Sequence, residues 1–302
     1  LLFGGTIMNE DILKEIEQMR IACKTNDDKR DANLPLEIPE VTRIDDLSYG
    51  PDPKWHLLDL YLPKNVQKNI PVIVHIHGGG WVYGTKETYQ FYGMSLAKEG
   101  FAFVNFTYHL GPDVAFPGIL ADVDLVMHWL CEHANQYHLD LNNVFLAGDS
   151  AGGQMVEQYL AILTNENYRQ HFNFELPDLT VRAAALNCGA YFIHLPGNLQ
   201  GAVTGYFTKE AQEKYREVLN VEKYLTKNLP PLFIMSSNKD FLYEQAIRLD
   251  GYLMAKEIKH ELHIYGDEKH PRGHVFHCNI KDSIAQQCNL DEINFFKKYL
   301  AN

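Results

Sequence analysis

One hydroxyl group stands among small residues at Ser150, in the run GDSAG at positions 148–152. This run fits G-x-S-x-G, in which a strand turns sharply into a helix and exposes the serine at the turn. Small residues two positions before and after the serine let the strand and the helix approach closely. The apolar run 144–147 precedes it and a helix-forming stretch follows. A nucleophilic serine fits this context, and a helix-capping serine is the alternative.

A second glycine-rich stretch, HGGGW at positions 77–81, follows an apolar run. Three consecutive glycines free the backbone to point N–H groups at the negative oxygen that develops when a carbonyl is attacked. A simple glycine-rich turn and a phosphate-binding loop are the alternatives. The second would need G-x-x-x-x-G-K-[ST], which the sequence lacks. The two stretches together indicate acyl-transfer chemistry more specifically than either does alone.

The motifs HGGG and GDSAGG resemble those of the α/β-hydrolase superfamily, and in particular the hormone-sensitive-lipase-like branch of carboxylesterases. The segment FTYHLGPDVAFPGILADVDLVMHWL at 106–130 resembles that branch's Y-R-L-A-P-E…F-P…D-V…W-L segment. His109 stands where the family usually has arginine, and Gly-Pro-Asp replaces Ala-Pro-Glu. The resemblance runs from about residue 55 to the end of the chain. Kynurenine-formamidase-like and sugar-ester-deacetylating relatives share the same motifs.

A nucleophilic serine needs a general base and a group that orients the base. In α/β-hydrolases the acid follows the serine in the chain, and Asp240 follows the apolar run 231–237. A residue just past the carboxyl end of a parallel strand lies where active sites of such sheets form. A helix N-cap is the alternative reading of Asp240. The resemblance places Asp240 at the first aspartate of the family's D-x-L-x-D, with Glu244 in place of the second.

Three histidines, His270, His274 and His277, follow within GDEKHPRGHVFHCN at 266–279. The family usually has His-Gly-Phe here, whereas in this chain the glycine precedes His274. His-x-Phe followed by a helix-forming tail favours His274 as the base. His270 and His277 stay open as alternatives.

The resemblance implies that Ser150 attacks an ester carbonyl, that His274 moves the proton and that Asp240 holds the imidazole. It further implies an oxyanion hole built from backbone N–H groups of Gly79, Gly80 and Ala151.

Three positions near the two motifs have simpler expectations. Asp149 is the variable residue of the turn, and we expect a structural hydrogen-bonding role for it. His75 and His77 alternate on one strand, and no second ligand cluster accompanies them. We therefore expect no metal ion and no cofactor.

Apolar runs alternate with helical patterns along the chain, which predicts a mostly parallel sheet with helices on both faces, an α/β-hydrolase fold. The predicted strands are 56–63, 70–77, 101–108, 143–148, 181–188, 231–237 and 260–266. The predicted helices are 9–24, 89–98, 117–133, 152–163, 243–256 and 283–300.

The interval 189–229 carries no strong strand pattern and is too long for an ordinary loop. We expect a small cap insertion there, with the hydrolase core at 46–188 and 230–302. Residues 1–45 are predicted to be an N-terminal helix and an extended arm that can join the cap. Met8 resembles a natural start, so residues 1–7 are hypothesised to be an expression leader.

The composition excludes several classes of partner. The chain has 302 residues, with 27 Lys and Arg against 39 Asp and Glu and a net charge of −12. Without a basic run it is a poor binder of nucleic acid or anionic membranes. No apolar stretch is long enough for membrane insertion. Five scattered cysteines without metal-type spacing predict reduced thiols and a cytoplasmic location.

These features together predict a soluble serine carboxylesterase that hydrolyses small to medium acyl esters. The alternatives are a carbohydrate-ester deacetylase, a feruloyl-type esterase or an arylformamidase. A catalytically silent hydrolase-fold binding protein is a further alternative, which the intact Ser/Asp/His set disfavours. The natural substrate and the oligomeric state, including a homodimer, stay open.

Overall fold

A single sheet of eight strands runs through the computed structural model, which describes residues 9–66 and 69–301. The strand order is β1-β2-β4-β3-β5-β6-β7-β8. The pairs β1–β2 and β2–β4 are antiparallel, and all other neighbours are parallel. The strands are β1 (Val41–Ser48), β2 (Leu57–Pro63), β3 (Ile70–Ile76), β4 (Ala102–Phe106), β5 (Leu139–Asp149), β6 (Val181–Asn187), β7 (Leu232–Ser237) and β8 (His260–Tyr265).

Helices cover both faces of the sheet. They are α1 (Glu10–Asp31), α2 (Gln90–Ala97), α3 (Gly118–Tyr137), α4 (Ala151–Thr164), α5 (Glu166–Arg169), α6 (Lys209–Lys214), α7 (Tyr243–Ala255) and α8 (Ser283–Lys297). Because successive side chains of a strand point to opposite faces, Val72 and Val74 join one core with α3, α4 and α7. Ile73 joins the other core with α2 and α8. The mostly parallel sheet and its two helical layers, predicted from the sequence, are confirmed.

Strand β1 and helix α1 differ from the predicted set. Strand β1 is an additional antiparallel edge strand in which only Val41 is buried, so it lacks the apolar run that marks the other strands. It crosses residue 45, and the sheet therefore begins inside the stretch predicted as the arm. Helix α1 continues to Asp31, one to two turns beyond the predicted stretch.

The interval 189–229 contains short pieces only: 3₁₀ turns at Gly201–Gly205 and Val221–Tyr224, with α6 between them. Helix α1 packs against the first of these turns. None of the helices in the described part of the chain combines the length and the apolarity needed to cross a membrane. The hypothesised leader at 1–7 lies outside the described residues.

Candidate active site

The turn at Ser150 joins β5 to α4 in a backbone conformation that costs energy. Ser150 has φ +53° and ψ −118°, a combination that non-glycine residues rarely adopt, and its N–H donates to the carbonyl of Asn187 over 2.9 Å. A Cβ atom on Gly152 would lie 1.9 Å from the carbonyl oxygen of Ile76. A Cβ on Gly148 would lie 2.5 Å from the carbonyl oxygen of Gly152. The glycines of the motif therefore allow the close approach that exposes Ser150.

Three side chains from three connections form a continuous hydrogen-bonded chain. The hydroxyl of Ser150 lies 2.9 Å from Nε2 of His274, and Nδ1 of His274 lies 2.7 Å from Oδ1 of Asp240. Asp240 follows β7 and His274 follows β8, so both lie at the carboxyl ends of parallel strands, as Ser150 does. Because a carboxylate only accepts, Nδ1–H donates to Asp240 and Nε2 is left to accept from the serine.

The carboxyl group of Asp240 is nearly buried and saturated with donors. Oδ2 accepts the hydroxyl of Ser236 at 2.9 Å, and Oδ1 also accepts the N–H of Leu242 at 2.9 Å. Burial alone would raise the pKa of Asp240. The hydrogen bond and charge of His274, with the Leu242 N–H, outweigh burial and lower that pKa below its ordinary value. Asp240 is therefore ionised at neutral pH, which suits a group that orients an imidazole.

The other two histidines of the 266–279 segment lie elsewhere. His270 is mostly exposed and contacts Asp267 at 3.3 Å. His277 is fully buried, with its ring 5.1 Å from that of Tyr92, and burial lowers its pKa to about 4. The geometry thus brings His274, and neither alternative, to Ser150.

The glycine loop lies beside the serine with free donors. Gly79 has φ +113° and Gly80 has φ +58°, and a Cβ on Gly79 would lie 2.1 Å from the carbonyl oxygen of Tyr83. Among the described residues, no protein group accepts the N–H of Gly79 or of Gly80. Ala151 is the first residue of α4, so its N–H has no acceptor within the helix. All three N–H groups are available to an oxyanion.

Asp149 has the structural hydrogen-bonding role expected of it. It is fully buried, and its Oδ1 lies 3.2 Å from Nε2 of His75. Burial alone would raise its pKa, but the contact with His75 and the hydroxyl of Tyr89 lower it. Neither Tyr89 nor His75 lies in a motif that would predict its contact with Asp149.

A cavity of about 620 Å³ opens above Ser150 and His274. Its walls are mainly apolar and aromatic and include Trp81, Tyr191 and Phe241, whose ring lies 4.3 Å from that of His274. A cavity of about 730 Å³ lies beside α1 and contains neither Ser150 nor His274.

Helix α1 forms one wall of the cavity above Ser150, and the sequence gives no indication of the contacts that hold it there. Arg20 donates from Nε to the carbonyl of Val82 over 2.7 Å and from Nη2 to the carbonyl of Gly111 over 2.9 Å. The hydroxyl of Tyr83 donates to Oδ2 of Asp27 over 2.8 Å. These contacts attach the helix to the loop that follows HGGG and, through Gly111, to the loop that follows β4.

Comparison with known proteins shows similarity to esterases. The BD-FAE family model matches residues 58–253. A putative α/β hydrolase, R526, of Acanthamoeba polyphaga mimivirus is 32% identical over 130 residues, covering 43% of this chain and 37% of that protein. Carboxylesterase NlhH of Mycobacterium tuberculosis is 31% identical over 128 residues, covering 42% and 40%. Esterase LipQ of the same organism is 25% identical over 205 residues, covering 65% and 48%. The chain therefore spans less than half the length of these relatives.

Solved structures agree with the fold over nearly the whole chain. Esterase B from Lactobacillus rhamnosis, solved with a tributyrin phosphonate, superposes with a TM-score of 0.86 at 25% identity, covering 97% of this chain and 96% of that one. A bacterial heroin esterase superposes with a TM-score of 0.73 at 18% identity, covering 97% and 94%. The α/β-hydrolase fold and the likeness to carboxylesterases, both predicted from the motifs, are confirmed.

Proposed function

Because this chain belongs to the BD-FAE family, whose model matches about two thirds of it, we propose that it is a serine hydrolase of carboxylic esters. The observation that carries the proposal is the hydrogen-bonded chain from Ser150 through His274 to Asp240 at the floor of an apolar cavity. A serine, a base and an orienting acid in this order are the parts that nucleophilic acyl transfer requires.

The reaction follows from this geometry. Ser150 Oγ attacks the ester carbonyl while Nε2 of His274 takes its proton, and Asp240 stabilises the resulting imidazolium. The carbonyl oxygen becomes an oxyanion that accepts the N–H groups of Gly79, Gly80 and Ala151. Collapse of this intermediate expels the alcohol, to which His274 returns the proton. Water, deprotonated by His274, then hydrolyses the acyl-enzyme and releases the acid.

The cavity supports esters with small to medium acyl groups. Its volume of about 620 Å³ is in the range that holds a single small molecule. Esterase B has been solved with a C4-C4 tributyrin phosphonate and in a form described as C6-C4 inhibited, which supports a similar acyl length here. We further propose that α1 and the interval 189–229 together act as the cap over this cavity. A homodimer and a cytoplasmic location stay predictions.

Hydrolysis of a p-nitrophenyl ester series from acetate to palmitate tests the function. We expect turnover of the short members, and loss of the nucleophile in Ser150→Ala typically lowers kcat by about 10⁶-fold. His274→Ala should be similarly inactive. His270→Ala is the matched control, since His270 is exposed and distant from Ser150, and it should retain wild-type turnover. Labelling of Ser150 by a fluorophosphonate tests the reactivity of the serine itself. A labelled protein that hydrolyses none of the esters has a competent site but lacks a suitable substrate, whereas an unlabelled one has a silent site. Absence of both turnover and labelling would reject the proposal.

A further inference from the structure

A group of buried polar atoms lies behind one wall of the catalytic cavity. Residues Ala190, Tyr191 and Ile193 form this wall. Among the described residues, several buried side-chain atoms have no hydrogen-bond partner: both carboxyl oxygens of Glu157, Oε2 of Glu222, the Tyr191 hydroxyl, Oε1 of Gln154 and Nδ1 of His194. Buried polar atoms are normally paired, so a group of unpaired ones needs a physical account.

Two glutamates dominate this group. Glu157 is 2% exposed, two turns along α4 from Ser150, and Glu222 is 1% exposed in the 3₁₀ turn Val221–Tyr224, which contacts α4. Two ionised carboxylates here would supply acceptors only, whereas Tyr191 and His194 are the side-chain donors of this group. Removing an unpaired carboxylate from water is costly, so at least one proton must be bound in the folded protein.

Glu222 has a direct connection to the cavity wall. One of its carboxyl oxygens accepts the N–H of Phe192, the residue between the wall residues Tyr191 and Ile193. Phe192 has φ +53°, a backbone conformation that a non-glycine residue keeps only when its surroundings hold it. The hydrogen bond to Glu222 is one of the contacts that hold it.

Glu222 is itself fixed by α7. The hydroxyl of Tyr252 donates to the carbonyl of Glu222 over 2.8 Å. Nζ of Lys256 donates to the same carbonyl over 3.2 Å and to the carbonyl of Leu225 over 3.0 Å. Phe192 is therefore attached to a turn that α7 anchors.

We propose that Glu157 and Glu222 are a positioning pair for the cavity wall at 190–193, which stays docked only while the pair retains a proton. This inference rests on the proposed function, since the wall bounds the cavity for the ester. Glu222 holds the wall through its hydrogen bond to Phe192. A protonated Glu157 carries no charge, so α4 and the 3₁₀ turn can pack without burying a second carboxylate.

The surroundings of the pair offer little to neutralise it. Burial raises the pKa of both carboxyl groups, and the charge of Glu222 raises that of Glu157 further. His194 has Nδ1 3.5 Å from Oε2 of Glu222, and burial lowers the pKa of His194. The other titratable groups that face the pair are Tyr168, Tyr191, Tyr252 and Lys256.

The direction of the pH effect follows from the raised pKa values. In the unfolded chain a glutamate loses its proton near pH 4.3, whereas in the folded protein the pair retains protons to higher pH. The stability that the bound protons contribute is complete below that value and is lost as the pH rises through the raised pKa values. Alkaline conditions should therefore loosen the wall.

Melting curves of the wild type and Glu157→Gln between pH 5.5 and 9 test the inference. The amide has nearly the shape of the protonated acid and cannot ionise. We expect the Tm of the wild type to fall more steeply with pH, and Glu157→Gln to melt at least about 2 °C higher than the wild type at pH 9. Between pH 6 and 8 the KM for p-nitrophenyl butyrate should rise in the wild type and change less in the variant.

Glu213→Gln is the matched control, because Glu213 is an exposed glutamate in the same interval and should leave the wild-type slope unchanged. If Glu157→Gln fails to fold, Glu222→Gln replaces it, since its amide oxygen can still accept the Phe192 N–H. A Tm difference between variant and wild type that is constant from pH 5.5 to 9 would overturn the inference. Failure of Ser150 labelling would instead count against the proposed function, and the melting curves would still decide the role of the pair.

Discussion

The backbone N–H of Gly78 donates to Oδ1 of Asp149 over 3.2 Å, across the gap between the glycine loop and the serine turn. Oδ2 of the same carboxyl accepts the hydroxyl of Tyr89 at 2.8 Å. One buried carboxylate therefore fixes the distance between the proposed oxyanion donors, which follow Gly78, and the nucleophile, which follows Asp149. The carboxylate of Asp149 therefore fixes the position of the glycine loop relative to the turn at Ser150.

Replacing Asp149 by Asn should lower kcat with little change in KM. The N–H of Gly78 and the hydroxyl of Tyr89 reach different oxygens of Asp149, and an amide keeps an acceptor oxygen at only one of these two positions. Since misplacement of reacting groups by about 1 Å can cost about 10²-fold, we expect a loss of about ten- to a hundredfold in kcat. Steady-state kinetics on p-nitrophenyl acetate measure it. Tyr89→Phe, which removes only one of the two bonds, should lose less, and a folded Asp149→Asn with wild-type kcat would contradict the prediction.

Ser236→Ala should disturb the proposed acid without touching the base or the nucleophile. The hydroxyl of Ser236 donates to Oδ2 of Asp240 over 2.9 Å, so its loss removes a bond to the ionised form and raises the pKa of Asp240. A bond to a charged group is worth about 1.5–3 kcal/mol, and we expect kcat to fall about tenfold. The acidic limb of the kcat/KM profile should move to higher pH. A lower Tm with an unmoved limb would show a structural role only.

The proposed nucleophile and glycine loop could be predicted because their chemistry imposes a local pattern. Only small residues fit at Gly148 and Gly152, where Cβ atoms would meet backbone oxygens, and these constraints lie within five residues of Ser150. Asp240 could be identified as the acid because, in α/β-hydrolases, the acid follows the serine in the chain. The His-x-Phe pattern favoured His274 among the three histidines, but His270 and His277 stayed open because sequence spacing does not tell which imidazole lies beside Ser150.

Features that depend on distant contacts could not be predicted. Arg20 binds backbone carbonyls, which every residue has, so no motif marks its partners. In the sequence Glu157 resembles an ordinary polar residue of a helix. Its burial depends on Tyr191 and Glu222, which lie 34 and 65 positions further along the chain. His109, in the place of the family's arginine, has Nδ1 2.9 Å from Asp122, a pairing between a loop and a helix. Strand β1 has too few buried residues to produce a pattern.

The buried His277 should make the fold sensitive to acid. Burial lowers its pKa to about 4, whereas an unfolded histidine titrates near 6.5. Between these values the unfolded chain binds more protons, so stability falls as the pH drops from about 6.5 to 4. The contribution at pH 4 is at most about 3 kcal/mol. His277→Phe, which keeps an aromatic ring against Tyr92, should show a smaller fall in its urea midpoint on acidification than the wild type.

An exposed histidine of the same segment provides the comparison for that measurement. His270→Phe should follow the wild-type acid dependence, since His270 is mostly exposed. Urea midpoints taken at intervals between pH 4 and 7 give the slopes for all three proteins. Equal slopes for the wild type and His277→Phe would contradict the prediction.

Arg20→Ala should loosen the wall that α1 forms over the catalytic cavity. Nε of Arg20 donates to the carbonyl of Val82 in the loop after the glycines, and Nη2 donates to the carbonyl of Gly111 in the loop after β4. Losing charged hydrogen bonds that are partly buried should raise the KM for p-nitrophenyl butyrate severalfold and make α1 more susceptible to proteolysis. Lys24→Ala is the matched control on the same helix: Lys24 pairs only with Asp28 in the described structure, both side chains are exposed, and such pairs contribute little. If Arg20→Ala and Lys24→Ala share the wild-type KM and protease resistance, the attachment of α1 through Arg20 has no part in holding the substrate, and the cap function must lie with residues 189–229.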